Sequence, residues 1–188
     1  MTQEISNFGD HAKVTMQSRV DDVAGTSMAG YYHVVCRDKD GNIKWEEKFP
    51  NLVVAVGKQL MLDTLLRGST YSVIGPYLGL ISNSFTASAS DTMASHTWTE
   101  FTNYSGGVRP SITFGSPTSA DPSVITSSAV SYSISGAGGT VAGAFVCSVT
   151  SGTSGILFSV ANFESPGDRI VVSGDTLNVT YTFSLDAA

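Results

Sequence analysis

Nine consecutive residues near the end of the chain alternate strictly between apolar and polar side chains. The two interleaved sets are Leu177, Val179, Tyr181, Phe183 and Leu185, and Asn178, Thr180, Thr182 and Ser184. Successive side chains of a strand point to opposite faces of a sheet. The segment is therefore predicted to be a strand with one face on a core and the other toward solvent.

The same period of two residues appears in other segments after residue 70. Val130, Tyr132 and Ile134, for example, alternate with Ser131 and Ser133. Connectors that contain glycine separate most of these segments, which is typical of sandwiches and jelly rolls. The predicted strands are 77–81, 97–101, 111–114, 124–134, 143–149, 156–162 and 176–185. We expect a mainly β protein, an antiparallel β-sandwich of either the jelly-roll or the immunoglobulin-like kind.

The N-terminal part divides into an arm and a hairpin. Residues 1–30 are polar and end in small residues, so they are interpreted as an N-terminal arm. Two β-prone segments then flank the turn Asp38-Lys39-Asp40-Gly41-Asn42, and an Asp-Gly pair between such segments predicts a β-hairpin over 31–49. The hairpin opens a single domain that covers residues 31–188.

One segment has helical rather than strand periodicity. Val53, Val56, Leu60 and Leu65 fall near helical spacing, and Met61 widens the apolar face. These positions predict one helix near residues 53–67, with Asn51 as a candidate N-cap and Gly68 as the stop. The helix is expected to cover an end or an edge of the sandwich.

Charge and hydropathy disfavour several classes of partner. Charged residues make up only 14% of the chain, and the formal net charge is −6. A chain with this charge and no basic cluster is not expected to bind nucleic acid. No apolar stretch approaches the ~18 residues of a membrane span, and the first residues lack the pattern of a signal peptide. Synthesis in a cytoplasm without export by that route is therefore expected.

Residues that could support catalysis or bind a metal are sparse and scattered. The three histidines, His11, His33 and His96, lie in different segments, and none of the usual nucleophile, phosphate-loop or zinc motifs occurs. The turn at Asp38 has its glycine in the wrong place for a calcium loop. Asp121, Asp168 and Asp175 fall in turns, where carboxylates commonly bind backbone amides. No catalytic, metal or cofactor site is predicted, and the chain is not expected to be an enzyme.

Two residue pairs have structural interpretations. Cys36 and Cys147 each lie in an apolar run, which favours reduced core thiols over a disulfide. Glu100 and Arg109 suggest an ion pair between two strands, worth about 0–1 kcal/mol if exposed. A carbohydrate-active enzyme would need two carboxylates in one cleft. Only Glu100 and Glu164 are glutamates in the C-terminal region, and nothing in the sequence brings them together.

A set of short motifs in a fixed order resembles one protein family. The motifs are Asn51-Leu52-Val53 with Gly57, and the segments 77–80, 91–96, 98–100, 109–110, 140–145, 155–158 and 173–180. Together they cover about residues 45–185 and are similar to small virion proteins of tailed bacteriophages, in particular to capsid decoration, or cement, proteins. Residues 1–44 fall outside this resemblance.

The resemblance implies a structural function on the capsid surface of a virion. The expected partners are the major capsid protein and further copies of the chain, as a dimer or trimer. An alternative is a tail or head-fibre component that binds a host receptor. In that case, exposed loop aromatics such as Tyr71 or Tyr104 would be candidates for saccharide contact.

Overall fold

The computed structural model describes residues 27–67, 76–164 and 167–186. This part of the chain is mainly β, with antiparallel sheets and one helix. The elements in chain order are β1 (Ser27–Arg37), β2 (Ile43–Pro50), β3 (Leu52–Val53), α1 (Ala55–Leu66), β4 (Tyr77–Ile81), β5 (Glu100–Phe101), β6 (Ser123–Thr126), β7 (Val130–Ser133), β8 (Gly139–Val141), β9 (Gly143–Cys147), β10 (Leu157–Asn162), β11 (Arg169–Val171) and β12 (Thr176–Asp186).

The first sheet is built around the alternating segment at the end of the chain. Its order is β2-β1-β12-β6, and β7 also pairs with β12. β1 runs antiparallel to β12 along its whole length, from Ser27 opposite Asp186 to Arg37 opposite Thr176. Residues 27–30, predicted to be in the arm, therefore belong to a strand. Residues 1–26 of the predicted arm lie outside the described residues.

The second sheet has the order β3-β10-β9-β4-β5, and β8 and β11 form a separate pair. Its middle strand, β9, is buried on both faces of the sheet, because all five of its residues are buried. This explains why β9 reads as a continuous apolar run rather than an alternating one. Gly79 of β4 permits the close packing, because a Cβ there would collide with the ring of Phe145.

Side chains from both five-stranded sheets share one core. Tyr32, Val34 and Tyr181 from the first sheet and Leu80 and Val146 from the second belong to the same buried cluster. The alternation that predicted β12 is confirmed, because Leu177, Val179, Tyr181 and Phe183 are buried. Thr182, predicted to face solvent, is also buried, and its hydroxyl lies 3.1 Å from that of Thr126.

Helix α1 packs on β10 but differs from its prediction at both ends. It begins after Val54, which makes no side-chain capping hydrogen bond, and the residue that follows its end is Arg67. Asn51 is not the N-cap, because Val54 has that position; the Asn51 side-chain amide donates instead to the Tyr181 hydroxyl at 2.9 Å. The predicted stop at Gly68 lies outside the described residues. Gly57 is the buried contact point of the helix, against Phe158.

Several predicted strands are shorter or absent. The segment 97–101 is a strand only at Glu100–Phe101, and 111–114 makes only isolated bridges, at Ser111 and Phe114. The segment 124–134 divides into β6 and β7, which pair with different parts of β12. The short strands β3, β8 and β11 had no sequence prediction. The hairpin 31–49 is present, and Asp38 closes its turn.

Candidate interaction surface

The residues considered for chemistry are dispersed in the fold. In the described ranges, no group of three or more His, Cys, Asp and Glu side chains could hold a metal ion. His33 Nε2 lies 2.7 Å from Glu46 on the first sheet, whereas the His96 ring stacks on Trp98 at 3.6 Å between centroids. His11 lies outside the described residues. The two placed histidines therefore have separate local partners.

The turn carboxylates bind nearby backbone and side chains. Asp38 Oδ1 accepts hydrogen bonds from the amides of Asp40 and Asn42, both at 2.9 Å. The Asn42 side chain, followed by these amides, lowers the pKa of Asp38. Asp175 accepts from the Val172 amide and from Lys44, while Asp168 accepts from Ser84. The bond from the Val172 amide confirms the predicted turn role for Asp175, whereas Asp168 accepts from a serine side chain of a distant loop.

Arg109 and Glu100 form the predicted ion pair, but the arginine is buried. Its side chain is only 3% exposed, and two of its nitrogens donate to the Glu100 carboxylate at 2.7 Å. The same guanidinium donates to the carbonyls of Val149 and Gly152. Burial by itself would lower the pKa of Arg109. The hydrogen bonds to Glu100 and the nearby Cys147 outweigh this effect, so the pKa is raised overall. The pair fixes the segment after β9 to β5.

Both cysteines are free and buried, as predicted. Burial raises the pKa of Cys36 to about 11, and it also raises the pKa of Cys147. A thiol is nucleophilic only as thiolate. These two side chains therefore contribute to packing and are poor candidates for covalent chemistry.

The aromatic residues considered for saccharide contact do not form a binding surface in the described part of the chain. Tyr104 is 5% exposed and packs edge-on against Tyr132, so its predicted exposure is wrong. Burial, followed by the charge of Glu100, raises the pKa of Tyr104 to about 12. Tyr71 lies outside the described residues. Glu164 is exposed, while Glu100 is paired with Arg109.

Among the described residues, one group of strongly exposed apolar side chains consists of leucines at the C-terminal end of α1. Leu62, Leu65 and Leu66 are 58%, 71% and 79% exposed, and we call these three residues the leucine tip. Leu65 was predicted to face the core, which is wrong. The sequence contains a relevant indication: Met61-Leu62 and Leu65-Leu66 are adjacent pairs, and adjacent helical residues cannot share one face. Exposed apolar groups of this kind commonly mark interaction sites.

A second exposed feature is the outer edge of β2, which is at one end of the first sheet. Unpaired strand edges can accept a strand from another chain. This edge carries features that limit indiscriminate pairing: charged residues along it, Pro50 at its end, and Glu47 paired with Arg169 at 2.6 Å. These features oppose the addition of a strand from another chain and so protect the edge against aggregation.

Comparisons of the chain with protein-family models, with curated proteins and with solved structures found no match. Among the described residues, no helix has the length and apolar character needed to cross a membrane. The function must therefore be argued from the residues themselves.

Proposed function

We propose that this chain is a structural virion protein of a tailed bacteriophage, a decoration protein that stabilises the head by binding the major capsid protein on its outer surface. The ordered motifs of residues 45–185 support the family. The observation that carries the binding role is the leucine tip, three strongly exposed leucines on one helix end. A protein that works by burying surface between capsid subunits needs such an apolar contact.

The internal structure supports a rigid body for this role. We infer that the two five-stranded sheets pack face to face as a β-sandwich, since they share a buried core. Hydrogen bonds also join the sheets, from Tyr132 Oη to the Leu78 carbonyl at 2.8 Å and between Tyr32 Oη and Ser159 Oγ at 2.8 Å. A rigid body loses little conformational entropy on binding, which favours attachment.

Deletion of the gene tests the function at the level of the particle. On heating, heads that lack the protein are expected to release DNA at a lower temperature than complete heads. When the salt is diluted stepwise, they are expected to release DNA sooner, at an ionic strength that complete heads still tolerate. Particle images are expected to show many copies at equivalent positions on the capsid. Equal stability of the two kinds of head contradicts the proposal. A few copies at one attachment site, with loss of host adsorption on deletion, indicates the receptor-binding alternative.

Addition of purified protein to heads that lack it tests the leucine tip directly. Leu65→Ser with Leu66→Ser is expected to reduce the number of bound copies measured by co-sedimentation, because it removes the apolar contact. A matched control, Lys58→Ser with Gln59→Ser, changes exposed residues elsewhere on the same helix and is expected to bind normally. Both double variants should unfold at the temperature of the wild type, since exposed substitutions usually change stability by only about 0.5 kcal/mol. Normal binding by the leucine variant rules out the tip as the contact.

A further inference from the structure

An apolar cavity of about 210 Å³ lies between the two five-stranded sheets beside α1. Its walls come from both sheets and from the helix. The walls include Leu60, Phe114, Ile125, Ile156, Phe158 and Phe183. The cavity is partly open to solvent and lies beside the helix, which packs on β10.

The chemistry of the walls limits what can occupy the cavity. None of the described residues that line it is charged. The polar groups at its walls already have partners: the Tyr181 hydroxyl accepts from Asn51, and Ser148 Oγ accepts from the Ile156 amide. The occupant must therefore be apolar. Apolar cavities of about 150 Å³ bind benzene, so this one has room for an aromatic ring.

The start of the first sheet brings the N-terminal segment to the same place. Gly30, near the start of β1, pairs with Phe183, which lines the cavity and also pairs with Ile125 of β6. Ser27, where the described part of the chain begins, lies opposite Asp186, three positions or about 10 Å along the strand from Gly30. Twenty-six extended residues can span about 85 Å, so this segment can reach the cavity of its own chain or of a neighbouring copy.

We propose that the segment 1–26 fills this cavity and that Phe8 is its anchor. Phe8 is the only Phe, Tyr or Trp in that segment, and an aromatic ring matches both the size and the apolar lining of the space. Its neighbours Asn7, Gly9 and Asp10 are small or polar. A single ring on a polar segment can be inserted without burying charge, which would be costly. This inference does not depend on the proposed function.

Methyl NMR on the full-length chain tests the docking. With isoleucine δ1 methyls labelled, the Phe8 ring is expected to give NOEs to Ile125 and Ile156. Phe8→Ala is expected to shift those two methyl signals, because the ring current is lost. The methyls of Ile43 and Ile170, which are 52% and 72% exposed, serve as internal controls and should not move. Val14→Ala, a truncation in the same segment, should leave all four signals unchanged.

Xenon supplies a second measurement that does not depend on assignment of the ring. A segment docked in about nine of ten molecules weakens xenon binding about tenfold, so Phe8→Ala should bind xenon about ten times more tightly than the wild type.

A mixture of ring-labelled and methyl-labelled chains distinguishes docking within one chain from docking into a neighbouring copy. NOEs between labelled chains assign the segment to a neighbouring copy, and their absence assigns it to its own chain. Equal xenon affinity in wild type and Phe8→Ala, or no NOE in either sample, overturns the proposal.

Discussion

Arg109 is the charged residue whose environment in the fold is most demanding. A buried guanidinium needs its hydrogen bonds satisfied, and here a carboxylate and two backbone carbonyls accept them while the ring of Phe145 lies 5.1 Å away. The sequence indicated the partner, Glu100, but not the burial. Spacing along a chain identifies opposite charges, whereas burial depends on how the segment after β9 folds over them.

Loss of the arginine charge should be strongly destabilising. Arg109→Met leaves Glu100, which is 23% exposed, without its partner, and removal of one member of a buried pair typically costs 3–5 kcal/mol. Because Glu100 is partly hydrated, we expect about 3 kcal/mol, at the low end of that range. Urea denaturation at pH 7 measures the free energy of unfolding.

Two further variants give this measurement its controls. Arg109→Met combined with Glu100→Gln should recover part of the loss, because it removes the unpaired charge. Arg67→Gln breaks a pair in which the arginine is 74% exposed, and it should cost no more than about 1 kcal/mol. If Arg109→Met lowers the free energy of unfolding no more than Arg67→Gln does, the buried pair does not stabilise the fold.

Cys36 makes stability depend on pH in the alkaline range. Burial raises its pKa from about 9 to about 11. Well below pH 9 the thiol is neutral in both the folded and the unfolded chain. As the pH rises from 9 through 11, the unfolded chain ionises first and gains stability relative to the folded one. The free energy of unfolding should therefore fall across this window.

Comparison of the wild type with Cys36→Ala isolates this effect. The variant is expected to be less stable at pH 7, because it leaves a small cavity in the core. Its stability should decline less than that of the wild type between pH 9 and 11. Parallel stability curves for the two proteins would assign the alkaline decline to other groups, such as the buried tyrosines.

At the scale of elements, the sequence predicted most of the longer strands, although β1 only from residue 31, and missed three of the short ones. β4 and β12 were predicted almost to the residue, since each is long enough to show its own apolar pattern. β3, β8 and β11 have two or three residues, too few for a period to be visible. They are strands only because a partner strand lies beside them. The leucine tip was missed because the helical pattern was interpreted as a single apolar face.

Gly57 shows how packing overrides the intrinsic preference of a helix. Alanine favours helix by about 1 kcal/mol over glycine, so Gly57→Ala would stabilise an isolated helix. In the fold, however, an added Cβ would collide with the Phe158 carbonyl of β10. We expect a net loss of about 1–3 kcal/mol, typical of overpacking, measured by thermal or urea unfolding.

The control variant is Gln59→Ala, two residues further along α1 at an exposed position. It should change stability by less than about 0.5 kcal/mol. If Gly57→Ala proves stabilising, α1 does not pack closely on β10 in solution, and the position of the leucine tip relative to the sheets would be different.

At the scale of the whole molecule, the question is whether the sheets form one cooperative unit. The two five-stranded sheets share a core, and the hydrogen bond from Tyr132 to the Leu78 carbonyl joins β7 to β4. Tyr132 is 1% exposed, so its hydroxyl has little access to water. This contact is well placed to report the coupling, because it belongs to neither sheet alone.

Native-state hydrogen exchange tests the coupling directly. We expect amides of Val34 and Val179 in the first sheet to exchange with the same opening free energy as those of Val146 and Val160 in the second. Tyr132→Phe leaves the buried Leu78 carbonyl without this donor and should lower all four values equally, by about 1–2 kcal/mol. Tyr77→Phe, at the partly buried start of β4, is the control and should change them by less than about 0.5 kcal/mol. A loss confined to one sheet would mean that the sheets open separately, and the chain would then lack the rigidity that a capsid-stabilising protein requires.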